Sequence, residues 1–177
     1  MGKTMKNAGR KSGRSILVVL CAIFAATFIA GSDQPAVHVE PADNVGPRPV
    51  EEQTQKAVIR DYLQAWHSLS GALEQNRASL LDADFVGTAR QKLADTIQEQ
   101  TKLGIQTRYI DHAHDVKLVF YSPEGLSIQL VDTVDYDVQL LDQGKVQTTQ
   151  HVRARYVAVL TPTEVQWKVR VFQAEPE

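Results

Sequence analysis

The feature that most limits the fold of this chain is a change in the period of its apolar residues near position 105. Before that point, apolar residues recur every three or four positions, which is the period of an amphipathic α-helix. After it, they alternate with polar residues over four long stretches rich in β-branched and aromatic side chains, as half-buried strands do. The chain is therefore predicted to be an α+β protein with its helices before its sheet.

Two helices are expected in the first half of the folded part. The first should begin after Pro49, which suits a first helical turn, and run to about Glu74. A short turn follows at residues 79–82, and the second helix should begin after Asp84 and end at Gly104. The buried stripe of the first helix is expected to be Val58, Tyr62, Trp66, Leu69 and Leu73.

Four strands are expected in the second half, separated by short turn-forming segments that contain Pro or Gly. Such short connections favour antiparallel pairing of neighbouring strands. Strands this long exceed the usual length and have to bend, so we predict two helices packed on one face of a curved, cone-like, four-stranded antiparallel sheet. The strands are placed at residues 106–122, 126–141, 145–160 and 165–173.

A basic flank and an apolar run precede the folded part. Residues 1–14 carry five Lys or Arg and no acid, and residues 15–31 carry no charge. Because a basic flank is retained on the cytoplasmic side, the chain after the run is expected to be exported. The run is near the lower length limit for a membrane span, and small residues at 30–32 suit a signal peptidase, so it is either an anchor or a cleaved signal peptide.

These features divide the chain into a cytoplasmic tail (1–14), a transmembrane anchor or signal peptide (15–31), a Pro-rich linker (32–49) and an exported domain (50–177). Four prolines in the linker indicate a semi-rigid spacer. The single cysteine, Cys21, lies in the apolar run, so no disulfide is expected in the domain. We expect the C-terminal domain to lie in the periplasm of a bacterium, at the inner membrane, or to be secreted if the leader is cleaved.

The charge of the exported part argues against one class of partner. Five of the 19 basic residues precede Ser15, which leaves 14 basic and 21 acidic residues and a formal charge of −7 for the remainder. A nucleic-acid-binding protein has to neutralise phosphates with Lys and Arg. Nucleic acid is therefore not an expected partner.

An acidic residue interrupts the apolar row on the second predicted strand. Asp132 lies between Leu130 and Val134 on the face expected to point inward, where desolvation would raise its proton affinity. A carboxyl group in such a place can serve as a general base or as a protonated hydrogen-bond donor. The alternatives are that a bulge or the sheet rim turns Asp132 to solvent, or that an arginine pairs with it.

The spacing of two histidines permits a metal site. His112 and His114 are two apart on a predicted strand and should point to the same side, as chelation requires. A third ligand would have to be His67 or His151. A structural role near a strand bend is the simpler interpretation, so no metal or other cofactor is expected.

Charged residues on the second and third predicted strands suggest cross-strand pairs. Arg153 and Arg155 share one strand face and are expected to pair with Asp135 and Asp137, as such charges do on an outer sheet face. The alternative is an anion site built by the two arginines.

The order of elements and two end motifs resemble those of a known superfamily. The motifs are Tyr62-Leu-Gln-Ala-Trp66 on the first helix and Val165-Gln-Trp-Lys-Val-Arg-Val171 on the last strand. The chain from Val50 to Gln173 looks like the nuclear-transport-factor-2-like superfamily. That cone-shaped fold is shared by polyketide-cyclase-like enzymes, ketosteroid isomerase and periplasmic secretion-assembly proteins. The resemblance implies the fold and leaves the activity open, because the functions of its members differ widely.

Two functions follow from these observations. The first is a membrane-anchored, exported binding or assembly module without enzymatic activity, acting as a homodimer or within an envelope complex. The second is a small-ligand-binding protein or acid–base enzyme that uses Asp132 inside the cone. The pocket of the second would be lined by Tyr62, Trp66, Asp132, Tyr136 and Tyr156.

Overall fold

The computed structural model describes residues 34–42 and 45–175. The predicted basic tail, the apolar run with Cys21 and the start of the linker lie outside these residues. Within the part of the chain that is described, no helix combines the length and apolar character needed to cross a membrane.

Two helices and five strands build the domain. Strand β1 precedes the helices, and a short 3₁₀ turn at Ala78–Leu81 lies between them. The predicted α+β class, with its order of two helices followed by four long strands, is confirmed to within a few residues at each boundary. The elements are β1 (Ala36–Val39), α1 (Glu52–Glu74), α2 (Gly87–Lys102), β2 (Ile105–Tyr121), β3 (Ile128–Asp142), β4 (Lys145–Pro162) and β5 (Trp167–Ala174).

The sheet has five strands in sequence order, which corrects the expectation of four. Strands β2 to β5 form the predicted antiparallel meander, whereas β1 pairs with β2 in parallel. The extra strand comes from the segment predicted as a linker, where Ala36 lies opposite Ala113 and Val39 opposite Val116. Pro35 and Pro41 flank this strand and leave its backbone donors intact, so the prolines delimit an edge strand rather than preventing one.

The core lies between α1 and the inner face of the sheet. All five residues of the stripe predicted for α1 are buried, and Tyr62 and Trp66 are at most 1% exposed. On β3, alternate residues from Ile128 to Tyr136 are buried, with Asp132 among them, so this strand has the register expected from its sequence. Leu126, which was expected at the start of that row, precedes the strand and is 63% exposed.

Strand β2 contains a bulge that the sequence analysis did not anticipate. Asp111 lies opposite Tyr136 and Ala113 lies opposite Asp135, so His112 is an extra residue without a partner on β3. A bulge of this kind shifts the alternation of the residues that follow it, here as far as a second irregularity between Leu118 and Phe120.

The bulge separates the two histidines that were expected to point to the same side. The side chain of His112 is 44% exposed, whereas that of His114 is 1% exposed. The expectation that His112 and His114 point to the same side of the strand was therefore wrong. Its assumption of regular alternation fails because two consecutive residues of β2, His112 and Ala113, occupy the space opposite one residue of β3.

Candidate functional site

A buried polar network lies at the centre of the inner sheet face. Asp132 on β3 is fully buried, and the Tyr62 hydroxyl on α1 donates a hydrogen bond to its Oδ2 atom at 3.0 Å. The Nδ1 atom of His114 on β2 lies 2.7 Å from the same oxygen. One carboxylate oxygen thus connects the helix to two neighbouring strands.

This arrangement fixes how His114 can exchange protons. If Asp132 is ionised it can only accept, so His114 Nδ1 carries the proton and donates it to Oδ2. A neutral His114 then presents the lone pair of Nε2, which is the form of a histidine acting as a general base. The contact with Asp132 therefore fixes the tautomer and orientation of the ring.

The network leaves one of its oxygens without a partner. Asp132 Oδ1 is buried and accepts no hydrogen bond from any residue in 34–42 or 45–175. Burial of an unpaired carboxylate oxygen is unfavourable, so such atoms are uncommon in native proteins and often mark functional sites.

A second carboxylate faces the other side of the same histidine. Asp111 Oδ2 lies 4.0 Å from His114 Nε2, and Asp111 Oδ1 is buried without a hydrogen-bond partner within the described part of the chain. Burial raises the pKa of Asp111, and the neighbouring His114 opposes that rise. The His114 ring is thus placed between two acidic side chains.

A cavity of about 930 Å³ opens beside this histidine. It lies between α1, the first half of β2 and the segment at the start of β1. Its wall holds the aromatic rings of Trp66 and Tyr109, four aliphatic or proline residues and eight polar or charged side chains. Small-molecule sites likewise combine apolar surface with polar groups that orient the ligand. The lining residues central to the chemistry are Trp66, His67, Tyr109, Asp111, His112 and His114.

The structure places the five residues predicted to line a pocket in three different environments. Trp66 lines the cavity, whereas Tyr62 and Asp132 are fully buried in the network behind it. Tyr136 and Tyr156 belong to an aromatic cluster around Trp66, with their hydroxyl oxygens 2.7 Å apart. Asp132 therefore does not line the cavity and touches its wall only through its contact with His114.

The sequence analysis did not place Tyr109 or Asp111 on the wall of a cavity. It also did not predict the contact between His114 and Asp132. One signal was available. Tyr109 and Asp111 occupy odd positions, whereas the apolar residues Val116 and Leu118 further along the strand occupy even ones. In a strand that keeps one face buried, the inward-facing residues can move from odd to even positions only through a bulge. The change therefore predicts a bulge between Asp111 and Val116.

Other charged residues lie on the outer face of the sheet. His151 contacts both Asp135 and Asp137, and Arg155 pairs with Glu175. Arg153 lies opposite Asp135 in the register but forms no ion pair within the described ranges. The expected pairs of Arg153 and Arg155 with the two aspartates are therefore not formed, because His151 occupies the space beside both carboxylates.

No protein family and no curated protein matches this sequence. Solved structures do match. The intermembrane-space region of the chloroplast protein ARC6 is 16% identical, and the match covers 74% of this chain and all of that region with a TM-score of 0.60. A dehydratase of the NTF2-like family from Streptomyces avermitilis is 12% identical and covers 69% of this chain and 98% of its own, with a TM-score of 0.49. A scytalone dehydratase-like protein from Novosphingobium aromaticivorans is 15% identical, covers 71% and 89%, and also has a TM-score of 0.49.

At these identities the likeness concerns the fold alone. The two helices on an antiparallel sheet are the architecture that the resemblance implied, and the ARC6 region shares that fold at a TM-score of 0.60. What the resemblance implied is therefore confirmed for the fold alone.

Proposed function

We propose that the domain binds a small, partly aromatic molecule in the cavity beside His114 and recognises it through a hydroxyl group. The observation that carries the proposal is Asp111 Oδ1, which lies on a residue of the cavity wall, is buried and has no hydrogen-bond partner among the described residues. A ligand hydroxyl would satisfy this oxygen. Trp66 and Tyr109 would contact the apolar part of the ligand.

The same site supports proton exchange with a bound ligand. His114 is one of the residues that line the cavity, and Asp132 would stabilise the imidazolium that forms when its Nε2 atom accepts a proton. Tyr62 holds Asp132 in place from α1. In this proposal Asp132 positions the His114 ring, whereas the sequence analysis placed Asp132 in direct contact with the ligand.

The location of the domain is part of the proposal. The basic flank and the apolar run favour export, with residues 15–31 as an anchor or a signal peptide. The ligand would then be met outside the cytoplasm, in the periplasm of a bacterium.

A second candidate is an assembly module that contacts other envelope proteins or a second copy of itself. The fold shared with the ARC6 intermembrane-space region, at a TM-score of 0.60 over all of that region, favours a role at a membrane surface. In this case the domain needs no small ligand.

Native mass spectrometry of the full-length protein distinguishes the two. We expect the wild type to retain a small molecule, or to bind one from a set of hydroxylated aromatic fragments. Gln64 is an exposed residue of α1 on the cavity wall, so Gln64→Trp should block the cavity without disturbing the core and reduce binding at least tenfold. Gln98→Trp, at an exposed position of α2, is the matched control and should bind as the wild type does.

Two results would overturn the ligand proposal. One is a wild-type protein that is empty and binds no fragment, and the other is equal binding by the Gln64→Trp variant. A ligand-free oligomer in the first case would favour the assembly module.

A further inference from the structure

Three side chains from three adjacent strands converge on the outer face of the sheet, away from the buried network. They are His112 on β2, Asp137 on β3 and His151 on β4. One potential ligand atom from each lies within 4.8 Å of the other two. Two imidazoles and a carboxylate so close together are a common set of ligands for transition-metal ions.

The strand register explains why these residues meet. Asp137 lies directly opposite His151 on β4 and opposite Ile110 on β2. Regular alternation puts His112 on the same outer side as Ile110, two residues further along. The bulge begins at His112, so this residue stays outside while the chain after it turns His114 inward.

The distances suit a shared ion. His112 Nε2 lies 3.2 Å from Asp137 Oδ2, and His151 Nδ1 lies 3.0 Å from Asp137 Oδ1. Ligand atoms around a tetrahedral ion with bonds of about 2.0–2.2 Å are separated by roughly 3.2–3.6 Å. Small side-chain rotations would therefore be enough to admit an ion between the three groups.

A fourth residue supports one of the ligands. His151 Nε2 lies 3.3 Å from Asp135 Oδ1, while its Nδ1 faces Asp137. Histidines that bind metals usually contact a carboxylate through their other ring nitrogen, which orients the ring and makes it more basic. Asp135 is placed to do this for His151.

We propose that His112, Asp137 and His151 bind a divalent transition-metal ion of the Zn²⁺ class, with water completing its coordination. The side chains of His112 and His151 are 44% and 62% exposed, so water can reach the ion. Imidazole nitrogens disfavour Ca²⁺ and Mg²⁺, which select oxygen ligands.

This site shares one residue with the proposed ligand site. His112 also lies on the cavity wall, but Asp137 and His151 do not. Metal binding can therefore be tested without knowing the ligand of the cavity.

Isothermal titration calorimetry of the full-length protein, purified without a polyhistidine tag, tests the proposal with Zn²⁺ alone. We expect one Zn²⁺ per chain, and at least tenfold weaker binding for His151→Ala and for Asp137→Asn. Asp135→Asn should weaken binding about tenfold through the orientation of His151. His38→Ala, at an exposed histidine of β1 outside the cluster, should leave binding unchanged.

X-ray absorption at the zinc edge adds a structural readout. We expect a first coordination sphere with two imidazole nitrogens in the wild type and one in His151→Ala. Because all three ligand residues are at least partly exposed, these variants should keep the wild-type circular dichroism spectrum. The absence of binding at 100 µM Zn²⁺ would overturn the proposal, as would binding that survives both His151→Ala and Asp137→Asn.

Discussion

At the scale of single residues, burial changes the acid–base behaviour of the tyrosines near Trp66. Desolvation raises the pKa of Tyr109 to about 12 and raises those of Tyr62, Tyr136 and Tyr156 as well. Coulombic repulsion from Asp132 adds to the effect at Tyr62. These hydroxyl groups are therefore neutral donors and acceptors at any physiological pH.

The pKa of Tyr109 predicts a loss of stability at alkaline pH. Unfolded tyrosine releases its proton near pH 10, whereas folded Tyr109 keeps it to about pH 12. Between these values the unfolded state binds fewer protons, so the free energy of unfolding falls as pH rises. The stabilisation is fully present below pH 10, and roughly 2–3 kcal/mol is lost by pH 12.

Urea unfolding of the wild type and of Tyr109→Phe at pH 9, 10, 11 and 12 checks this. The variant has no ionisable group at this position, so its stability should fall less steeply in that range. If the stabilities of the two proteins depended equally on pH, the raised pKa of Tyr109 would be contradicted.

At the scale of elements, one buried amide joins both helices to the sheet. Gln100 on α2 is 6% exposed, and its Nε2 donates to the carbonyl oxygen of Leu73 in the last turn of α1 at 2.6 Å. Its Oε1 accepts a hydrogen bond from Thr107 on β2 at 3.0 Å. The same carbonyl oxygen also accepts a longer hydrogen bond of 3.4 Å from the backbone amide of Asn76, so Gln100 supplies a second and shorter bond to the end of α1.

Substitution of Gln100 by alanine should therefore destabilise the protein. The change leaves the carbonyl of Leu73 and the hydroxyl of Thr107 without this partner, and we expect a loss of roughly 1–3 kcal/mol. The matched control is Gln98→Ala, on the exposed face of the same helix. This substitution should change the stability by less than about 0.5 kcal/mol. Chemical denaturation measures the free energy of unfolding of both variants. Similar free energies for the two variants would show that the buried contacts of Gln100 contribute little.

At the scale of the whole molecule, the first folded segment completes the sheet. Strand β1 covers the free edge of β2, and Val39 and Val45 pack against the core. The side chain of Gln55 on α1 donates to the carbonyl oxygen of Glu40 at 3.2 Å. The segment predicted as a spacer thus contributes packing and hydrogen bonds to the domain.

Two truncated chains test this contribution. A chain that begins at Gln34 keeps every contact described here and should have the melting temperature of the full-length protein. A chain that begins at Val50 lacks β1, and its free energy of unfolding should fall by roughly 2 kcal/mol or more because Val39 and Val45 no longer pack against the core. Its melting temperature should be lower, and the exposed edge of β2 should increase aggregation. Differential scanning calorimetry with light scattering compares them, and equal melting temperatures would make β1 dispensable.

Much of the fold follows from local patterns that a sequence displays directly. The stripe from Val58 to Leu73 determines α1, because a helix with this period has to bury one face. The turn residues between the long alternating stretches likewise determine the antiparallel order of β2 to β5. Strand β1 could not be recognised in this way, since its four residues gain their stability from hydrogen bonds to residues 113–116, far away in the sequence.

The sequence by itself indicated an inward position for Asp132 in an α+β domain, because its neighbours at a period of two are apolar, but it left open a solvent-exposed position at a bulge or rim. The tertiary structure alone decided what that carboxylate contacts. His114 reaches it because the bulge reverses the alternation within β2, and the same bulge leaves His112 beside Asp137. Such a bulge is set by the pairing of two strands, and the partner of a side chain depends on which strand lies beside it.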